Sequence, residues 1–128
     1  MASTVPFKLI TPTEVVFDGE AELVIVVTTE GEEGLLPRHA PLLAALRPGI
    51  LRANVRRDGT AERLERATGR GFVQALPDRV SVLVDEALRF EDVDVAKARE
   101  ELAKARSSGD RATEAFAAAK LRLTGHQP

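Results

Sequence analysis

Over residues 1 to about 85 the apolar positions fall in short runs parted by turn signals every eight to twelve residues, the spacing expected of a β-sandwich or barrel. Phe7 to Ile10, Val15 to Phe17 and Glu22 to Val27 are the first three predicted strands. Asp18-Gly19, a tight-turn dipeptide, predicts a hairpin between the second and third. From Ile50 onward Leu51, Ala53 and Val55 alternate with Arg52, Asn54 and Arg56, which gives one dry face and one charged face, and Asp58-Gly59 turns the chain back. Phe72 to Leu76 follows, and then Val80, Val82 and Val84 share one face around Ser81, with Pro77-Asp78 as the turn between.

After Asp85 the pattern changes period. β-branched residues thin out and Ala, Glu, Lys and Arg take over, so the predicted division is a β domain over 1–86 and a helical hairpin over 87–128. Asp92 is the expected N-cap of the first helix with Asp94 in its first turn, and Glu100 and Lys104 are spaced for an i,i+4 pair. Ala98, Leu102 and Ala105 mark a narrow apolar stripe. Ser107-Ser108-Gly109 ends the helix, Asp110 caps a second, and Ala112, Phe116, Ala119 and Leu123 recur at helical spacing. Alanine carries few apolar atoms, so each such contact contributes far less than the ~1.5 to 3 kcal/mol of a buried Leu or Phe. The hairpin is expected to be held weakly and to be the moving part.

Composition narrows the function. The chain has 128 residues, with 18 basic against 20 acidic and a net charge of −2, so no strong field draws it to nucleic acid or acidic lipid. It has no Cys, which excludes disulfides and thiol chemistry and fits a reducing compartment. Five Phe without Trp or Tyr offer few platforms for single-stranded nucleic acid. The start, MASTVPFKLITP, lacks the charged and apolar regions of a signal peptide, and no window approaches a membrane span, so membrane contact is expected to be indirect. Two His and no Cys leave no zinc-spaced ligand set, and neither G-x-S-x-G nor S-x-x-K occurs; no catalytic residue, metal or cofactor is expected.

One stretch stands apart: GEEGLLPRHAPLLAALRPG at 31–49 brackets an acidic pair with glycines and breaks a leucine run with prolines around Arg38 and His39. Most of Leu35, Leu36, Leu42, Leu43 and Leu46 are expected in the core, with a fraction left to face a partner. Together with VVFDGE at 15–20, RPGILR at 47–52, VSVLVDEA at 80–87 and EDVD at 91–94, this stretch resembles the epsilon subunit of bacterial F-type ATP synthase, whose signature run is E-G-E-x-G-I/L-L-P-x-H-A-P-L-L. The likeness runs in order along essentially the whole chain.

The resemblance implies a non-catalytic rotor subunit at the cytoplasmic face of the bacterial inner membrane, binding the gamma subunit and resting on the ring of c subunits. It implies c-ring contact through Glu30, Glu32 and Glu33, and gamma contact through His39, Leu42 and Ala44. It further implies that the C-terminal helices reach the alpha/beta hexamer and inhibit ATP hydrolysis. Some members bind ATP through an I/L-D-x-x-R-A motif with further arginines on the second helix; the matching residues here are Asp94, Lys97 and Arg122. Lys97 replaces the arginine and loses its bidentate fork. Arg38 and Arg70 stand where the family often has Gly, so neither position is expected to need a glycine-only conformation. The rival reading is a small-molecule binding module, an ATP sensor with a helical lid.

Overall fold

The computed structural model describes residues 3–128. Its strands are β1 (Val5–Ile10), β2 (Val15–Thr28), β3 (Gly31–Leu35), β4 (Leu42–Leu46), β5 (Gly49–Arg57), β6 (Thr60–Thr68), β7 (Gly71–Leu76), β8 (Arg79–Val84) and β9 (Ala87–Leu88). A 3-10 turn at Phe90–Asp92 leads to α1 (Val95–Ser108) and α2 (Arg111–Leu123). The sheet order is β1-β8-β7-β4-β2-β5-β6-β9, with β3 beside β2, and β1 pairs with β2 as well as with β8. The sheet thereby folds over a single core into which β1, β2, β5, β7 and β8 all send side chains. It is the expected sandwich followed by two helices.

The long β2 is what joins the layers, and it corrects the predicted hairpin. Asp18 and Gly19 sit inside the ladder, opposite Lys8 and Phe7. A Cβ on Gly19 would lie 2.9 Å from the Phe17 ring, so the glycine seats that aromatic against its own strand. The centroid of the Phe17 ring lies 5.6 Å from that of Phe7, and the Arg57 guanidinium sits over the Phe17 ring at 5.2 Å. A turn dipeptide and a seat for a ring look alike in one dimension. Farther along, the register against β5 shifts between Ala21 and Leu23. That bulge inverts the alternation: Phe17 and Ala21 are buried before it, and Val24, Val26 and Thr28 after it.

The β5–β6 hairpin forms as predicted. Asp58 (φ 50) and Gly59 (φ 78) both take positive φ, the signature of the I′ turn that matches strand twist. Strand β6 itself, TAERLERAT, carries no strand signal, because its first four residues are exposed and only Leu64, Ala67 and Thr68 are buried. The last strand, β9, pairs with the end of β6 beyond residue 86.

The hairpin follows its caps with one change. Asp94, not Asp92, caps α1, accepting from the Lys97 amide at 3.1 Å. Asp92 instead accepts from the Arg89 amide and guanidinium and closes the preceding turn. Gly109 ends α1 in the left-handed conformation, and Asp110 caps α2 as predicted. The ion pairs that form are Glu101–Lys120 at 2.8 Å and Arg106–Glu114 at 3.4 Å, both across the two helices, rather than Glu100–Lys104 along one. On α2 the buried residues are Ala117, Ala118, Ala119 and Leu121; of the residues read at helical spacing only Ala119 is among them, and Ala112, Phe116 and Leu123 are half-buried, because α2 is wedged between α1 and strands β5 and β6. Ala98, Leu102, Ala117, Ala118 and Leu121 make an apolar cluster separate from the sandwich core.

Asp110 gives a testable pH dependence. Hydrogen bonds from the Thr113 hydroxyl, and then from the Thr113 amide, hold its carboxyl below the usual carboxylate range. A lowered folded-state value means the cap stabilises fully above the unfolded value of about 3.9 and is lost as pH falls through the folded value. The start of α2 is expected to fray below about pH 4, followed by exchange of the Thr113 amide, and Asp110→Asn is expected to remove that pH dependence while keeping a cap. An amide that stays protected in acid, or an unchanged profile in the variant, would refute this.

Candidate functional site

The acidic hairpin of β2 and β3 is built from one threonine. Thr28 Oγ1 donates to the Gly31 carbonyl at 2.8 Å and accepts from the Glu30 amide at 3.1 Å, and Gly31 (φ 121) supplies the backbone that an L side chain resists. Glu30 lies at the exposed tip. Along β3 the alternation then parts the other two carboxylates. Glu32 meets Arg52 of β5 at 2.9 Å, whereas Glu33 faces His39 Nε2 at 3.6 Å. The three predicted acids therefore share a strand end without forming one patch.

His39 belongs to a turn that corrects the expectation for Arg38. The His39 amide donates to the Leu36 carbonyl, Pro37 occupies the second position, and Arg38 takes φ 63, the pattern of a type II turn. That turn wants glycine at its third position, and Arg38 is held there because its amide also donates to the Pro77 carbonyl. Arg70 carries no such strain, as expected; its flanking glycines are the constrained residues. The His39 ring sits 2.6 Å from the Ala40 carbonyl through Nδ1, which therefore carries the proton, leaving Nε2 toward Glu33.

Beyond the turn, β4 places Leu42 and Ala44 on the core side, where both are half-buried. The outward residue between them is Leu43, 74% exposed. Across the neighbouring strands the registers align Ala45 with Phe72, Phe72 with Leu83 and Leu83 with Ile10. All four lie on the outer face, and Phe72 and Leu83 are 60% and 53% exposed. An apolar row across four strands, continued to Leu43, is the kind of surface soluble proteins keep for a partner. Sequence reasoning fixed on the proline-braced segment and passed over Phe72 and Leu83. The signal was present in the alternation itself, since Leu83 falls on the face opposite Val80, Val82 and Val84.

The residues aligned with the nucleotide motif are not assembled. Asp94 spends its carboxylate on the cap and, with Lys97, lines a cavity of about 520 Å³ between sandwich and hairpin, whereas Arg122 lines a different cleft. The walls of the first cavity include Asp85, Glu86, Asp92, Asp94 and Glu101 against Arg70, Lys97 and Lys120, a balance that repels phosphate. No helix among the described residues is long and apolar enough to cross a membrane.

Comparison with known proteins gives both a family match and structural neighbours. Residues 4–90 match the model of the ATP synthase delta/epsilon chain beta-sandwich domain. The ATP synthase epsilon chain of Chromobacterium violaceum is 38% identical over 113 residues, covering 88% of this chain and 79% of its own. That of Rhodospirillum rubrum is 38% identical over 122 residues, covering 94% and 85%. In solved structures, a chain of the Euglena gracilis mitochondrial ATP synthase OSCP/F1/c-ring assembly superposes with a TM-score of 0.70 at 24% identity, over 95% of this chain and 78% of that one. A chain of the Tetrahymena thermophila central stalk and c-ring gives 0.57 at 17%, over 87% and 94%. The structural likenesses establish the fold, and the curated relatives establish the lineage: the chain belongs to the epsilon chains of ATP synthase.

Proposed function

We propose that this chain is a non-catalytic central-stalk subunit that couples the c-ring to gamma in an F-type synthase on the cytoplasmic face of the membrane. The observation that carries the reading is the outer-face row of exposed Leu83, Phe72 and Ala45 with Leu43, ending at the half-buried Ile10, on a sandwich whose β2–β3 hairpin carries Glu30 and Glu32 at its rim. The row supplies the apolar core of an interface with gamma, and the rim supplies carboxylates for the polar loops of the c-ring. On β4 the outward Leu43 takes the contact role first expected of Leu42 and Ala44, with His39 and Glu33 bracing the adjoining turn.

Phe72→Glu and Leu83→Glu are each expected to weaken association with gamma by about 30-fold, the effect of losing one interface anchor of roughly 2 kcal/mol. Both side chains are exposed, so the thermal unfolding of the free chain should hold. Co-purification from the assembled complex reads the effect; gamma binding that survives both substitutions refutes the docking face.

The helical hairpin is the regulatory element in this reading. Its apolar cluster is separate from the sandwich core, so it can leave the sheet without breaking the main one. Arg106, Arg111, Lys120 and Arg122 then become available to acidic surfaces of the alpha/beta hexamer. Removing residues 94–128, which leaves β9 in place, is expected to raise ATP hydrolysis by the assembled complex several-fold without loss of assembly. Unchanged hydrolysis would remove the inhibitory role while leaving the rotor role standing.

A further inference from the structure

Of the three acids on the β2–β3 hairpin, only Glu32 faces the helices. Glu30 stands at the tip and Glu33 turns to His39, whereas Glu32 lies opposite Val27 in the ladder and with it lines a cleft of about 760 Å³ between α2 and the β4–β5 corner. The Glu32 carboxylate reaches back to Arg52 of β5 at 2.9 Å. That is the one hydrogen bond of the Arg52 side chain, whose Nε is buried without a partner. Arg47 on the sandwich wall and Arg111 and Arg122 on the helical wall line the same cleft. None of those three has an ion-pair partner among the described residues, and no ion pair among them joins either helix to the sandwich. Arg106 also lines the cleft but is taken up by Glu114 at 3.4 Å.

Arg52 therefore depends on Glu32 twice, for its hydrogen bond and for its charge. Paired, it adds nothing to the field that Arg111 and Arg122 meet when α2 rests on the sheet. Unpaired, it becomes a fourth free guanidinium beside those of Arg47, Arg111 and Arg122, in a cleft where like charges repel more than they do in open water. We propose that the Glu32–Arg52 pair is an interlock between the rim of the sandwich and the helical hairpin. While Glu32 rests on Arg52 the hairpin stays down, and drawing the carboxylate onto a cationic group of a rim partner loosens it. The linkage is reciprocal: a docked hairpin favours the paired Glu32 and so weakens its hold on that partner by the same factor. The interlock rests on the reading of Glu32 as a rim contact and of the hairpin as the movable element, and it adds what connects them.

The test uses the full-length chain, which has no Cys of its own. Spin labels on Ala61→Cys of β6 and Ser107→Cys of α1, both exposed positions, report the distance from sandwich to hairpin. Docked and released populations are expected in the parent, and Glu32→Gln is expected to raise the released one about three-fold, the scale of losing one partly exposed charge pair. Adding Arg52→Gln to Glu32→Gln is expected to return the populations to those of the parent. Salt at about 1 M, which shortens the screening length to about 3 Å, is expected to level parent and Glu32→Gln. A released population that Glu32→Gln leaves unchanged, that the double variant fails to restore, or that salt fails to level overturns the interlock and leaves the movable hairpin standing. One fixed distance in every variant overturns the interlock together with the regulatory reading of the hairpin.

Discussion

Phe7→Ala is expected to destabilise the chain by about 4 kcal/mol, within the range for deleting a buried aromatic from a core that cannot close over the gap. Phe7 is 1% exposed and sits in β1, the strand that pairs with β8 on one side and β2 on the other. Its ring backs Phe17, which in turn carries Arg57 and rests over Gly19. Removing it takes away the ring that packs on Phe17, with rigid ladders on both flanks preventing collapse. In a domain of this size the loss corresponds to a fall of about 15 °C in Tm. Urea unfolding followed by circular dichroism gives the value, and a cost under about 2 kcal/mol would mean that the core relaxes around the cavity.

Gly71→Ala is the second large effect, about 3 kcal/mol, and it arises from crowding. A Cβ at Gly71 would lie 1.8 Å from the Leu83 carbonyl oxygen and 2.7 Å from the Val84 Cα, both of them backbone atoms of the neighbouring strand. Side chains can swing aside, but β8 is held between β7 and β1 and cannot. The substitution must therefore spread the β7–β8 pair at the point where Phe72 and Leu83 begin the apolar row. Arg70→Ala, one residue away and exposed, is the matched control and is expected to fall within about 0.5 kcal/mol of the parent. Equal stability of the two variants would show that the strands separate freely.

The two effects mark what could and could not be read in one dimension. Periodicity located β1, β5, β7 and β8, because each alternates cleanly between dry and wet faces, and the capping residues located both helices. It failed at β6, where Glu and Arg dominate a strand covered mainly by its neighbours, and at Asp18-Gly19, where a glycine serves a ring rather than a turn. The acidic and proline-braced segment of the candidate site was legible from its composition. The apolar row was not, since Ile10, Leu83, Phe72 and Ala45 come from four strands whose adjacency only the topology creates. Arg38 shows the reverse limit: identity alone argued against a left-handed backbone there, and the hydrogen bond from its amide to the Pro77 carbonyl overrules it.

The bulge in β2 has a consequence for how the chain can vary. Because one extra residue near Glu22 decides which half of a fourteen-residue strand faces inward, the segment works like a keyed shaft. Insertion or deletion of a single residue on either side of the key would turn Val24 and Val26 out to solvent and Leu23 and Ile25 in, while leaving every hydrogen-bonding group of the strand available. Single-residue insertions or deletions are thus expected to be tolerated only at the ends of the strand and in the loops, and the spacing between Phe17 and Val24 matters as much as the residues themselves.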